Sequence, residues 1–335
     1  MQTASTQTSF TTSSHPFLGH IDYFKAIPHH KRGEYRKQVL SVKPSTEPPS
    51  VIYEKSFPQS KGFTYEGYRL NYYSIEQTSE PSAICVFMHG LNDHGGIAGY
   101  FGHQLTEANP GVNFFSLDQM NFGQSEGDFR GYFPGIEKAA KQGEALIEHV
   151  LRQYESRPSV FLVGMSLGGA ITFQMGVNHP ENYKGVIFLA PAFGSNREDI
   201  YHLKLIMKTV GIFVPKLFVP MTAIEGKTTK YNLSKHFEQD LNYFSGGYVS
   251  GTVRNTLHAT DLVRSQFSKF SLPYITIMGG IEKVVDMFAP LDFDEVNSSP
   301  DKTTIYCRDM WHSVFFEEEV VAVSEIVASW LQQRI

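Results

Sequence analysis

Cysteine, clustered positive charge and long apolar runs are all scarce in this chain. Only 2 of the 335 residues are cysteines, and both Cys85 and Cys307 fall in segments that read as buried strands, so we expect no disulfide framework. The net charge is −5, the pI is near 6.2, and no basic cluster exceeds His29 to Arg32, which excludes the usual electrostatic signature of a nucleic-acid partner. No apolar run is long enough to span a bilayer.

Targeting signals are also missing from the first residues. Met1 to Ser14 is rich in serine, threonine and glutamine, without the basic start and apolar run of a secretory signal or the arginines of a transit peptide. We therefore expect a cytoplasmic protein. The polar stretch to about residue 50, with one weakly helical part near Gly33 to Val39, reads as an N-terminal extension that carries no chemistry.

Strand-like and helix-like segments alternate from residue 51 onward. The β-type segments are Val51–Phe57, Tyr68–Ser74, Ala83–Met88, Val112–Leu117, Ser159–Val163, Val186–Leu189, Tyr274–Met278 and Thr303–Tyr306. The helix-like segments are Gly99–Glu107, Ile136–Tyr154, Leu167–Val177 and Phe316–Leu331. This alternation predicts an α/β fold with an eight-stranded, mostly parallel sheet, helices on both faces and an antiparallel edge formed by the first two strands.

One stretch breaks the alternation and predicts a division of the chain. Residues 193–262 show successive helix-like patterns, which we interpret as a helical cap inserted into a core of residues 51–192 and 263–335, with residues 1–50 as the extension. Ligands of open α/β sheets bind at the carboxyl edge, so such an insertion can cover a site. Its apolar density predicts a lipid-like substrate pocket lined by Met207, Val210, Phe213 and Phe218. The same density motivates the hypothesis that the cap touches membrane surfaces.

The most informative motif is the pentapeptide Gly164 to Gly168, which has a serine at its centre. An apolar β-type segment precedes it and a helix-like segment follows, which is the setting of a nucleophile elbow. Ser166 is therefore a candidate nucleophile. The alternative is a glycine-rich turn in which Ser166 only caps the helix.

A serine nucleophile needs a base, and the base needs a carboxylate. His312 lies in the loop after the last predicted strand and is the candidate base. Two carboxylates follow the strand at Tyr274–Met278: Glu282 is nearer the strand end, whereas Asp286 sits where the next helix would begin. The position favours Glu282 and leaves Asp286 as the second choice; either gives the chain order serine, acid, histidine.

Acyl transfer also needs donors for an oxyanion, and backbone N–H groups are the usual source. We expect them at Leu167, directly after the serine, and at Leu91, in the loop after the third predicted strand. The histidines at 89, 94 and 103 could suggest a metal, but no cysteine or carboxylate completes a recognisable ligand spacing. We expect neither a metal nor a cofactor.

Four motifs, in order along residues 65–331, resemble the monoacylglycerol lipase and lysophospholipase branch of the α/β-hydrolases, the serine aminopeptidase S33 type. They are Met88-His89-Gly90-Leu91, the run from Leu117 to Gly127, Gly164 to Gly169, and Trp311-His312. The resemblance implies an α/β-hydrolase fold and a serine esterase that acts on single-chain acyl glycerols or similar acyl esters under a mobile hydrophobic cap.

Position by position, the resemblance puts the nucleophile at Ser166, the base at His312 and the oxyanion donors at Leu91 and Leu167. The usual aspartate of the family falls on Glu282, so the implied triad is Ser-Glu-His. A second departure is a phenylalanine at position 122, where the family more often has histidine. We expect ester hydrolysis, with an acyltransferase using the same triad or an inactive hydrolase-like binding protein as alternatives. The acyl chain length, head group and oligomeric state stay open.

Overall fold

The computed structural model of the protein describes residues 18–19, 24–45, 55–194, 209–220 and 227–335. Its strands are β1 (Leu18–Gly19), β2 (Gln59–Tyr65), β3 (Tyr68–Ile75), β4 (Ala83–Met88), β5 (Val112–Leu117), β6 (Ser159–Met165), β7 (Gly185–Leu189), β8 (Phe218–Pro220), β9 (Gly247–Val249), β10 (Tyr274–Gly279) and β11 (Lys302–Cys307). Its α-helices are α1 (His29–Ser41), α2 (Gly99–Ala108), α3 (Ile136–Leu151), α4 (Leu167–Asn178), α5 (Ser234–Gln239), α6 (Ser250–Ser265), α7 (Ala289–Val296) and α8 (Val320–Gln332).

One sheet organises the core, with the strand order β1-β11-β10-β7-β6-β4-β5-β3-β2. The six strands from β11 to β5 are parallel, while β3 and β2 form an antiparallel edge, which confirms the predicted mostly parallel sheet. The central strands β4, β5 and β7 are buried at every residue, as expected for parallel strands covered on both faces. Helix α2 packs against α8, and α3 packs against α4.

The first predicted strand is misplaced. Residues 55–57 of the predicted Val51–Phe57 are irregular, residues 51–54 lie outside the described part, and β2 begins at Gln59. The physical reason is the turn formed by Glu66 and Gly67, which both have positive φ (47° and 85°). This turn places Tyr65 of β2 opposite Tyr68 of β3. A two-residue turn of this kind fixes the hairpin register, so the strand that precedes it must lie directly before the turn.

The N-terminal region is not a loose extension where the structure describes it. Strand β1 pairs antiparallel with β11, so that Leu18 lies opposite Cys307. Helix α1 extends beyond the weakly helical stretch seen in the sequence. Phe24 is buried and stacks on Tyr306 of β11 with 4.3 Å between the ring centroids. This region is therefore part of the packed core.

The described cap residues contain β structure as well as helices. Strands β8 and β9 form a two-stranded antiparallel sheet, and α5 and α6 complete this part. Helix α6 continues to Ser265, through the predicted boundary at residue 262, so the division into core and cap remains a prediction. Across the described ranges, no helix combines the length and the apolar character needed to cross a bilayer.

The parallel strands bring four loops to one edge of the sheet. Strands β4, β6, β10 and β11 end at residues 88, 165, 279 and 307, and the segments that follow them carry the candidate oxyanion donor, serine, acid and histidine. Carboxyl ends of parallel strands share one edge, which is where α/β proteins place their ligands.

Candidate active site

Ser166 occupies a strained turn between β6 and α4. Its backbone has φ 54° and ψ −118°, a conformation that residues with a side chain rarely adopt. A Cβ added at Gly164 would lie 2.4 Å from the carbonyl oxygen of Gly168, and one at Gly168 would lie 1.9 Å from the carbonyl oxygen of Met88. Only glycine fits at these two positions, so the motif's flanking residues are required by the close approach of the backbone.

The side chains of Ser166, His312 and Glu282 form one hydrogen-bonded chain. The Ser166 Oγ lies 2.9 Å from His312 Nε2, and His312 Nδ1 lies 2.8 Å from Glu282 Oε2. All three side chains are buried. The carboxylate at Nδ1 favours the tautomer with its proton on that nitrogen, which leaves Nε2 free to accept from the serine hydroxyl.

The second carboxylate, Asp286, faces other partners. Its Oδ1 lies 2.9 Å from an Arg36 nitrogen and its Oδ2 lies 3.3 Å from an Arg264 nitrogen. The Glu282 carboxylate, by contrast, also accepts hydrogen bonds from the N–H groups of Val284 (2.6 Å) and Val285 (3.1 Å) through Oε1. The structure thus joins Glu282, and not Asp286, to His312.

The expected oxyanion donors both line the cavity that holds Ser166. Leu167 begins helix α4, and Leu91 follows Gly90 in the loop after β4. Buried His89 braces that loop: Nδ1–H donates to the Gly90 carbonyl (2.8 Å), and Nε2 accepts from the Gln119 N–H (3.1 Å). Burial lowers the pKa of His89 to about 3, so this histidine is a neutral structural group.

The three histidines considered for a metal have separate partners. His94 contacts Asp240 and His103 contacts the Ser56 carbonyl, while His89 bonds within its own loop. Over the residues that the structure describes, no group of three or more histidine, cysteine and carboxylate side chains could hold a metal ion.

The cavity at Ser166 has a volume of about 140 Å³. Ligand pockets commonly measure about 300–1,000 Å³, so the described walls enclose the region of the reacting carbonyl and its neighbours and not a whole acyl chain. Apolar walls come from Met165, Phe237, Leu257, Val284, Val285 and Phe316, and hydroxyl groups come from Thr228, Tyr243, Tyr248, Thr256, Thr260 and Ser313.

The predicted pocket residues require a correction. Met207 lies outside the described residues. Val210, Phe213 and Phe218 do not line the cavity; Phe213 is 79% exposed and Phe218 is 46% exposed. Apolar density in the cap sequence was a poor guide because the described part of this segment faces solvent. Phe122, where the sequence departs from the family motif, is likewise absent from the cavity lining. Its buried ring forms a T-shaped contact with His89, with 5.8 Å between the ring centroids.

Sequence reasoning missed Asp93, which lines the cavity two residues after Leu91. Desolvation raises the pKa of Asp93 to about 7. The neighbouring His94 Nε2 lies 2.8 Å from Asp240 Oδ2, and this contact ties the loop after β4 to the cap. A signal was present in the sequence, since Asp93 is an acidic residue in the same loop as the candidate oxyanion donor Leu91.

Comparison with known families agrees with this architecture. The model of the family described as serine aminopeptidase, S33, matches residues 79–319, which is more than half of the chain. The chain belongs to this family. The family shares the α/β-hydrolase fold, so the resemblance and the fold expected from the sequence are both confirmed.

Individual relatives are distant. The chain is 27% identical over 235 residues to caffeoylshikimate esterase of Arabidopsis thaliana, covering 67% of this chain and 70% of the relative. It is 24% identical over 260 residues to monoglyceride lipase of Mus musculus, a match that covers 76% of this chain and 84% of the relative. A soluble variant of monoglyceride lipase from Saccharomyces cerevisiae, solved with a substrate analog, superposes with a TM-score of 0.73 at 17% identity; the match covers 86% of this chain and 99% of that chain.

The prediction that this S33 family member is a serine ester hydrolase is confirmed at the level of enzyme class.

Proposed function

We propose that the protein hydrolyses the ester bond of monoacylglycerols or closely related single-chain acyl esters through an acyl-enzyme on Ser166. The observation that carries the proposal is the continuous chain of hydrogen bonds from Ser166 through His312 to Glu282, which opens into a largely apolar cavity. The monoglyceride lipases among the relatives support the same substrate class.

The geometry supports a two-step acyl transfer. Ser166 Oγ forms a bond to the ester carbonyl carbon while His312 Nε2 takes the hydroxyl proton, and Glu282 stabilises the imidazolium that results. The N–H groups of Leu91 and Leu167 stabilise the oxyanion, each such donor being worth roughly 3–4 kcal/mol in the transition state. The bond to the leaving alcohol then breaks as His312 returns the proton to the alcohol oxygen. Water then attacks the acyl-enzyme carbonyl while His312 takes its proton, and return of that proton to Ser166 Oγ releases the fatty acid and the free serine.

The charges around the cavity favour an uncharged head group. Apart from His312, Asp93 is the one described lining residue whose side chain carries a full charge near neutral pH, and none of the described lining residues is lysine or arginine. A phosphate ester would need a cation there, whereas glycerol hydroxyls can hydrogen-bond to the carboxyl of Asp93 or to the threonine and tyrosine hydroxyls. We therefore place monoacylglycerols ahead of lysophospholipids.

The proposal is tested by turnover of purified protein on a panel of monoacylglycerols, lysophospholipids and short-chain esters. Ser166→Ala should abolish turnover of all of them and also abolish labelling by a fluorophosphonate probe. Unchanged turnover in Ser166→Ala would refute the mechanism. Product analysis with added glycerol checks for acyl transfer to an alcohol in place of water.

We also propose that the cap contacts membrane surfaces, where such substrates reside. Five apolar side chains between residues 212 and 218 are 44–79% exposed, and they are Ile212, Phe213, Val214, Leu217 and Phe218. Exposed apolar side chains of this kind gain free energy by insertion below lipid head groups. Phe213→Glu should reduce sedimentation with phosphatidylcholine vesicles, while Val296→Glu, at another exposed apolar position, should not. Equal sedimentation of both variants and the wild type would contradict this proposal.

A further inference from the structure

The loop that carries Glu282 has little internal support. Residues 280–288, between β10 and α7, contain no helix or strand. The hydrogen bonds from Val284 and Val285 orient the Glu282 carboxylate, but they come from the same loop and move with it. Outside main-chain hydrogen bonds reach the loop at Gly280 (2.7 Å), Ile281 (3.0 Å) and Asp286 (3.1 Å). A carboxylate that must stay 2.8 Å from His312 needs the residues between these bonds to be held as well.

The N-terminal segment, residues 24–45, adds side-chain support at the far end of the loop. Helix α1 places Arg36 2.9 Å from Asp286 and Arg32 2.8 Å from Asp292, at the start of α7. Both guanidinium groups also lie over the ring of Phe288, at 4.9 Å for Arg32 and 5.3 Å for Arg36. Cation–π contacts combined with ion pairs fix the position of this end of the loop more firmly than either contact alone.

Lys283, directly after Glu282, is held at the near end of the loop. Its Nζ donates a hydrogen bond to the carbonyl of Val42, the residue directly after helix α1. The same Nζ lies 3.3 Å from the ring centroid of Trp311, which precedes His312. Lys283 is 5% exposed. One buried ammonium group thus joins the N-terminal segment, the acid loop and the loop of the histidine.

The N-terminal segment then continues to the histidine side of the site. The Ser45 N–H donates to the carbonyl of Lys230 (2.6 Å), and the Lys230 N–H donates to Glu317 Oε1 (2.8 Å). The other oxygen of Glu317 accepts from the Trp311 N–H (2.8 Å). The N-terminal segment therefore contacts residues on both sides of the triad: Lys283 and Asp286 in the loop of Glu282, and Lys230, which is linked through Glu317 to the residue before His312.

We propose that the N-terminal segment, residues 24–45, is a functional part of the active site, with Lys283 and Arg36 as positioning residues that hold Glu282 against His312. The segment lies before the family match, which begins at residue 79, so this support is additional to the family core. The inference rests on the proposed function, because it assumes that Glu282 orients the histidine.

The test is a double-mutant cycle on hydrolysis of a soluble aryl butyrate. Lys283→Met keeps the length of the side chain and removes its charge, and it should lower kcat by about tenfold with KM unchanged within twofold, because a displaced acid affects the chemical step. Lys283→Arg retains a cation and a donor and should recover most of the loss. Arg36→Met, at a position where the side chain is 24% exposed, should lower kcat by about threefold, since Arg264 still holds Asp286. Lys269→Met, at an exposed position, is the matched control.

The decisive measurement repeats Lys283→Met and Arg36→Met in a Glu282→Gln background. If both residues act through the acid, each should change the residual rate by less than twofold there, because contributions that act through one residue are not additive. Equal fold losses in both backgrounds, or no loss in either single variant, would overturn the inference. Unchanged turnover in Glu282→Gln alone would instead refute the proposed role of the acid. Thermal unfolding of every variant separates misplacement from loss of the fold.

Discussion

The turn that carries Ser166 and the loop that carries Glu282 are fixed in different ways. At the serine, main chain packs on main chain: the Ser166 N–H donates to the Leu189 carbonyl (3.0 Å), and the Ala192 N–H donates to the Ser166 carbonyl (2.8 Å). At the acid, main-chain hydrogen bonds hold the irregular loop at Gly280, Ile281 and Asp286. Between and beyond these bonds, side-chain contacts with a distant part of the sequence add support, from Arg36 to Asp286 and from Lys283 of the loop to the Val42 carbonyl.

This difference explains why the serine is recognisable from a motif, whereas the acid is recognisable only from its position after a strand. Main-chain contacts require particular small residues, such as the glycines at 164 and 168, and they leave a motif. The start of the acid loop has such contacts too, because a Cβ at Gly279 would lie 2.4 Å from the Trp311 carbonyl oxygen and one at Gly280 would lie 2.3 Å from that of Arg308. The side-chain support farther along the loop can be built from many residue pairs and leaves no motif. It also allows the acid to change from aspartate to glutamate, provided that the loop is held at the matching distance from His312.

The largest effect is expected from removing the acid. Glu282→Gln should lower kcat by about 10³–10⁴-fold, because the amide stabilises neither the correct tautomer nor the imidazolium. Asp286→Asn removes only a loop anchor and should lower kcat by less than about tenfold. Steady-state kinetics on a monoacylglycerol measure both. A greater loss in Asp286→Asn than in Glu282→Gln would reverse the assignment of the acid.

A smaller but substantial effect is expected from adding one methyl group to the serine turn. In Gly168→Ala the new Cβ would lie 1.9 Å from the Met88 carbonyl oxygen, so the start of α4 must move away from β4. We expect about 1–3 kcal/mol of lost stability and about a 100-fold loss of kcat, since Leu167 and Ser166 move together. Urea unfolding and kinetics measure the two effects.

Gly33→Ala is the matched control for stability. Nothing lies within 4 Å of a Cβ added at Gly33 in helix α1, so this variant should gain up to about 1 kcal/mol from helix propensity. If Gly168→Ala were as stable as Gly33→Ala, the serine turn would not be constrained by main-chain packing, and the contrast with the acid loop would disappear.

The sequence predicted the parts of the molecule that local chemistry specifies. The parallel strands were visible as short apolar runs, and the serine, acid and histidine followed from residue type and position at strand ends. It did not predict the packing of Phe24 on Tyr306 or the contact of Lys283 with Val42, because these join residues more than 200 positions apart in polar or ordinary surroundings. The pocket prediction at Phe213 and Phe218 was wrong because apolar residues alone do not say which face of a segment is exposed.

The smallest effect concerns Asp93, which lies in the loop after β4, on the oxyanion side of the cavity. Its loop is braced by His89 and by main chain, so Asp93→Asn should change head-group preference more than the chemistry. Because desolvation raises the pKa of Asp93 to about 7, the carboxyl is mostly neutral at pH 6 and mostly ionised at pH 8.

Repulsion of an anionic head group should therefore appear as the pH rises. The ratio of kcat/KM for a monoacylglycerol to that for lysophosphatidylglycerol, whose phosphodiester stays charged throughout, should increase about threefold to tenfold from pH 6 to pH 8. Titration of the triad affects both substrates and cancels in the ratio. In Asp93→Asn the ratio should be independent of pH. A ratio that rises equally in the variant would mean that another group near the cavity discriminates between the head groups.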